Sequence, residues 1–220
     1  MPGEQRAARW FVLNAGLGLD AAAIAHVELG RLAGRRATNR AYALATLQAW
    51  RASDRTDAPL QVRTPDGLEE SLAAVMVTNT DPWTYLGPRR MRPTPRSSFD
   101  LGLDATAARR MHLGGTLESL GRMLAHRPAP LRTTWSAHDQ PWLEVRSARP
   151  VALQVDGDYL GETTGVRLTA RPDAVRLVVP LGGPPCGRGE PIGLVLLRAT
   201  ERATCTHDVR FAPVCTRRRP

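Results

Sequence analysis

Beyond residue 130 the apolar side chains stop recurring at three- and four-residue intervals and fall in short runs or at every second position. That change of period leaves little room for anything but β structure. The segments 131–136, 142–147, 151–155, 166–170 and 175–179 each alternate or run apolar between turn residues. Short stretches at this spacing predict an antiparallel meander of the kind found in β-sandwiches. The first part of the chain obeys other periods. Arg9-Trp10-Phe11-Val12-Leu13 reads as a strand running into a tight turn at Asn14-Ala15-Gly16-Leu17-Gly18. Asp20 is predicted to cap a helix with Ile24, Val27 and Leu32 on one face, broken by Gly34 and the arginines after it. A second helix is expected from about Asn39, with Leu44, Leu47 and Trp50 spaced three apart. From Pro59 two strands are expected, 60–64 and 71–78, separated by a turn at Pro65-Asp66-Gly67. The Pro- and Arg-rich stretch 79–98 reads as a long loop, ordered by Trp83 and Tyr85. Leu117, Leu120 and Leu124 mark a third helix, ended by Pro128 and Pro130.

The predicted class is therefore α+β, an antiparallel β-sandwich with two or three flanking helices and no internal repeat. Residues 1–8 are expected to be disordered, 9–180 to form the domain, and 181–220 to be a mobile Gly-, Pro- and Arg-rich tail. Whether the apolar stretch 192–197 within that tail packs is left open.

All 30 basic residues among the 220 are arginine, and the formal net charge is +9. A GC-rich coding bias accounts for the missing lysine. Its absence excludes a phosphate-binding loop that ends in lysine. Guanidinium forks suit phosphates and anionic headgroups, so an anionic membrane surface is an expected partner. No nucleic-acid partner is expected, because no recognised reading motif accompanies the charge. No apolar run reaches the roughly 18 residues of a membrane span. The first six residues lack the pattern of a signal peptide, so a cytoplasmic chain is expected, peripheral at the inner face of the membrane. Cys186, Cys205 and Cys215 form no disulfide framework, and with His207 they match no zinc-site spacing.

Three constellations could carry chemistry. Gly16-x-Gly18 with Ala21, after a strand and before a helix, has the form of a dinucleotide fingerprint. The next element is another helix and no acidic residue stands where a ribose would be held, so a tight turn explains it better. Asp156-Gly157-Asp158 at a strand end brings two carboxylates close, as a general base or as Mg²⁺ ligands. The same dipeptide is also the commonest hairpin turn, and the residues alone favour that. In 97–104, Asp100 and Asp104 flank Gly102 in a pattern that a hard cation or a surface turn would suit equally. His26, His112, His126, His138 and His207 show no nucleophile partner pattern, so no triad is expected.

Several of these segments together resemble the second, β-rich domain of the bacterial diacylglycerol-kinase-type lipid kinases, whose two-domain fold is that of the NAD kinases. The resemblance rests on Asn14-Ala15-Gly16-Leu17-Gly18-Leu19-Asp20-Ala21 and Asn79-Thr80-Asp81-Pro82-Trp83-Thr84-Tyr85-Leu86-Gly87. It continues through Ser98-Phe99-Asp100-x-Gly102-Leu103-Asp104, His138-Asp139-Gln140, and 154–162 around Asp156-Gly157-Asp158. The motifs occur in this order over roughly residues 9 to 180.

The resemblance implies ATP-dependent phosphorylation of a lipid hydroxyl, as in phospholipid metabolism, in a cleft that shares Mg²⁺ with a separate nucleotide-binding domain. The implied acceptor is a lipid such as diacylglycerol. The presumed general base maps to Asp158, beside Asp156; many relatives have Glu at that position. A structural Mg²⁺ site of some relatives maps to Ser98, Leu101 and Leu103, with Leu101 standing where those relatives supply a carboxylate. The Gly-Gly-Asp-Gly-Thr loop that cradles ATP in the family does not occur in this sequence, and 181–220 lacks the family's return segment. The expectation is an acceptor-side domain that is inactive alone, a fragment or one half of a split enzyme. A non-catalytic β module on an anionic membrane or a protein partner is the alternative.

Overall fold

The structure is a computed structural model that describes residues 8–175, apart from 35, 37, 54–56, 87 and 126–132, together with 192–199. Two short strands, β1 (Arg9–Phe11) and β2 (Asn14–Leu17), lead into the helices α1 (Leu19–Leu32) and α2 (Asn39–Ala52). Strands β3 (Leu60–Thr64), β4 (Gly67–Leu72) and β5 (Ala74–Thr78) follow, then a small separate hairpin, β6 (Thr84–Leu86) and β7 (Arg89–Met91). After β8 (Leu103–Ala108) and α3 (Leu113–Ala125) come β9 (Thr134–Gln140), β10 (Trp142–Val155), β11 (Asp158–Val175) and β12 (Ile192–Ala199).

Alternation builds the strands: Leu60, Val62 and Thr64 of β3 are buried while Gln61 and Arg63 face water. Ten strands join, all antiparallel, in the order β1-β12-β11-β10-β2-β5-β8-β9, and β3 with β4 branches from β10. The branch exists because β10 is long enough to serve two partners along one edge. Glu144–Ser147 pair with β3, and Leu153–Val155 pair with β2. An irregularity between Arg146 and Val151 separates the halves and lets the strand bend. One buried cluster takes Phe11, Leu17, Val62, Leu72, Val77, Leu103, Val145 and Leu168 from eight strands, and among the described residues no helical side chain belongs to it. A sheet that buries one face without helices must curl over itself. The α+β class with antiparallel strands and three helices is as expected, but the strands are continuous through one curled sheet.

Several expectations need correction. The strands foreseen at 142–147 and 151–155 are one, and the 131–136 strand runs from 134 to 140. The β4 strand was not foreseen; its Glu69 and Glu70 interrupt the apolar pattern. The 79–98 loop contains the β6–β7 hairpin. The apolar stretch 192–197, whose packing was left open, is resolved rather than corrected: 192–199 forms β12, inserted between β1 and β11. The three cysteines, His126 and His207, and the 176–179 part of the last expected strand lie outside the described residues.

The helices are in place, and Val27 lies on the buried face of α1 as expected, but the leucines expected on the inner faces of both helices are exposed. Ala23 and Val27 of α1 pack against Ala45 and Ala49 of α2, and small side chains at this contact bring the helices close together. Leu32 is 79% exposed, and Leu44 and Leu47 also face outward. Gly18, not Asp20, occupies the N-cap position of α1, and no side chain caps that end.

Candidate active site at the β10–β11 turn

The β10–β11 hairpin reverses at Asp156 and Gly157, with φ of 50° and 88°, between the register partners Val155 and Asp158. Two central residues at positive φ make the turn whose twist matches the strands, and Asp-Gly is its preferred sequence. The turn reading of this motif is therefore correct. It also sends the two carboxylates to different places.

Asp156 accepts hydrogen bonds from the backbone amides of Val12, Leu13 and Asn14, at 2.8, 2.8 and 3.0 Å. It fastens the corner between β1 and β2 to the hairpin. Asp158 opens β11, and its side chain is 52% exposed, paired with Arg9 Nη2 at 2.6 Å. One acid is committed to backbone and the other is presented to solvent.

Beneath the turn lies a polar cluster that the sequence reading missed. Gln154 Nε2 donates to Asn14 Oδ1 and to Asp20 Oδ2, both at 2.7 Å, and its Oε1 accepts from Gly157 N at 3.0 Å. Burial of the Asp20 carboxyl raises its pKa from 3.8 to about 6, partly offset by the Gln154 hydrogen bond. The carboxyl lies against Gly16, where an added Cβ would stand 2.3 Å from Oδ2. Gly16 is small because Asp20 needs the space, and since 14–17 form strand β2, this replaces the tight turn expected at Gly16-x-Gly18; only Gly18, at φ 86° before α1, makes a turn. The signal that could have revealed this cluster is Gln154, an amide inside the apolar run 151–155 and almost wholly buried.

The other motifs gather at the same end of the sheet. Asn14, Thr78 and Asp104 stand in register across β2, β5 and β8. Asn79 donates through Nδ2 to Val12 O at 3.1 Å. Arg92 Nε reaches both oxygens of Asp81, at 2.9 and 2.7 Å, and this partner holds the guanidinium above its ordinary pKa. His138 Nδ1 lies 2.7 Å from Oδ1 of the buried Asp104, and Asp139 Oδ1 accepts from Gly102 N at 2.7 Å. The His138-Asp139-Gln140 motif thus secures the 98–103 loop.

Within that loop the expected metal ligands do not form a set. Ser98 Oγ donates to Asp100 Oδ2 at 3.2 Å, Leu101 contributes no anionic group, and Leu103 is buried in β8 opposite Gln140. No group of three or more His, Cys, Asp or Glu able to hold a metal occurs among the described residues. With no anionic side chain among them, the residues at 98, 101 and 103 do not fit Mg²⁺. No described helix is long and apolar enough to cross a membrane.

No family model matches the chain, and no curated protein matches it. Among solved structures, it is similar to a protein of Bacillus anthracis str. Sterne provisionally described as a diacylglycerol kinase. The TM-score is 0.50 at 16% identity, covering 76% of this chain and 52% of that one. A second structure from this strain, also provisionally described, gives 0.47 at 15%, covering 76% and 53%. A third, described as a diacylglycerol kinase, gives 0.45 at 13%, covering 76% and 50%. The likeness is one of fold, and the chain spans about half the length of the structures it matches.

Proposed function

We propose that this chain is the acceptor-side domain of a diacylglycerol-kinase-type lipid kinase, with Asp158 as the general base. The observation that carries the reading is the division of labour at the hairpin turn. Asp156 is saturated by three backbone amides, whereas the half-exposed Asp158 carboxylate has Arg9 as its ion-pair partner. In the proposed reaction the lipid hydroxyl oxygen attacks the γ-phosphorus of ATP, and its proton passes to a carboxylate oxygen of Asp158. The phosphorus–oxygen bond to ADP breaks, leaving a phosphorylated lipid. ATP and Mg²⁺ belong to a separate nucleotide-binding domain in this reading, and Mg²⁺ would neutralise phosphate charge there. Asp20, buried beside the same turn, is placed to orient the acceptor's polar head through the Asn14–Gln154 network.

Exposed leucines on the helix pair are compatible with a lipid acceptor. Leu29 and Leu32, at the end of α1 away from Asp20, are exposed at 66% and 79%, and Leu44 and Leu47 of α2 are exposed as well. Leucines exposed to this extent are costly in water and suit an acyl chain.

The test is phosphoryl transfer from ATP to diacylglycerol in mixed micelles, with and without an added nucleotide-binding domain from a kinase of this type. Transfer is expected only with the added domain, and Asp158→Asn should lower it by about a hundredfold or more. Turnover by the chain alone would overturn the need for a partner. Undiminished turnover in Asp158→Asn would overturn the assignment of the base.

A further inference from the structure

The face of the sheet turned away from the core carries a mixture unusual for a wetted β surface. Where β3, β10 and β11 run together, register places Arg63, Glu144 and Arg167 in one row, and Arg198 of β12 is the next register partner. The adjoining row runs from Trp142 through Thr169 and the Leu196 position to Trp10. Val62, Leu143, Val145, Val166 and Leu168, the intervening residues, are all in the core. Alternation therefore directs the described members of these rows outward. Trp10 is 44% exposed and Leu68, the register partner of Arg63, is 50% exposed. Arg63, Arg146, Arg167 and Arg171 are exposed as well.

Glu144 organises this face without neutralising it. Its carboxylate accepts from Arg146 Nε at 2.8 Å and lies 4.0 Å from Arg167 Nη1, so one acid holds two guanidiniums side by side. The Arg167 guanidinium in turn covers the Trp142 ring, 4.4 Å from its centroid. A base-stacking platform for single-stranded nucleic acid needs a bare aromatic face, and this ring is already occupied. Four arginines interspersed with tryptophan and leucine match a different partner. Indole rings settle at the headgroup level of a bilayer, guanidiniums fork lipid phosphates, and leucine enters the acyl boundary.

We infer that the outer face of β3, β10, β11, β12 and β1 docks on an anionic phospholipid bilayer through Trp10, Trp142, Leu68, Arg63, Arg146 and Arg171. The inference does not depend on the kinase reading. Its readout is binding, so the two can fail separately.

The test is co-sedimentation of the full chain with phosphatidylcholine vesicles, either pure or with about a third phosphatidylglycerol. Binding is expected to the anionic vesicles alone and to weaken as salt is raised. The triple variant Arg63→Gln, Arg146→Gln, Arg171→Gln should bind about tenfold or more weakly. An equal loss of charge elsewhere, Arg36→Gln with Arg89→Gln and Arg90→Gln, should leave binding nearly unchanged. As a second measurement, brominated lipid should quench the chain's emission, and Trp10→Phe should remove part of that quenching. Equal weakening in both triple variants, equal binding to neutral vesicles, no binding at all, or no quenching at Trp10 would each overturn the inference. Displacement of the chain from vesicles by equimolar single-stranded RNA would do the same.

Discussion

Asp156 and Asp158 are two positions apart and chemically identical, yet the fold gives them opposite work. Asp156→Ala strips three backbone amides of their acceptor and is expected to cost about 2–4 kcal/mol in urea unfolding. Asp158→Ala should change stability by less than about 1 kcal/mol, because its ion pair is half in water. Asp20 supplies a pH dependence of defined sign. Below its unfolded value of 3.8 the carboxyl is protonated in both states and makes no difference. Between there and about 6 the native state keeps a proton that the unfolded chain has released, so this group lowers stability as pH rises. Asp20→Asn keeps an acceptor for Gln154 and removes the buried charge. It should be more stable than the parent at pH 7 by about 1–3 kcal/mol, with the gap closing toward pH 4. The sequence showed that an Asp-Gly-Asp turn stood at a strand end. Which acid faces the β1–β2 corner was not legible, because that depends on residues 12–14, far away along the chain. Asp20 was hidden for a related reason: an acid in a first helical turn resembles a cap until Gln154 is seen reaching it across the sheet.

Element positions were more legible than element faces. Helical periodicity located α1 and α2 and put Val27 on the buried side of α1, but the Leu44–Leu47 spacing of α2 pointed to the wrong side. The buried contact is made by Ala45 and Ala49, one turn apart, because alanine permits close approach of the helix axes. Leu44→Gln with Leu47→Gln should therefore shift chemical stability by no more than about 0.5 kcal/mol. Ala49→Leu, a hydrophobic gain by composition, should cost about 1–3 kcal/mol by overfilling that contact. At the hairpin turn Gly157→Ala meets no neighbouring atom, so its expected cost of about 1 kcal/mol is backbone strain alone. Strand continuity was partly legible as well. The two apolar runs of β10 were correctly read as β, but Ala148–Pro150 between them looked like a break because an irregular, exposed stretch of strand carries no alternation.

For the whole molecule, the least legible feature is β12. A run such as Ile192–Leu197 can be a strand anywhere, and only the register with β1 and β11 shows where it belongs. Removing residues 181–220 deletes that strand and leaves β1 with no pairing partner in the sheet order. The truncated chain should melt several degrees lower than the parent in circular dichroism. An unchanged melting temperature would mean that the strand contributes nothing where it lies. The placement also imposes an order on biosynthesis. The strand that pairs with residues 9–11 is synthesised roughly 10–40 s after them at ordinary elongation rates. Until then Arg9 has no fixed position from which to meet Asp158, so for the roughly 2–7 s between synthesis of residues 158 and 192 that carboxylate stands without its ion-pair partner.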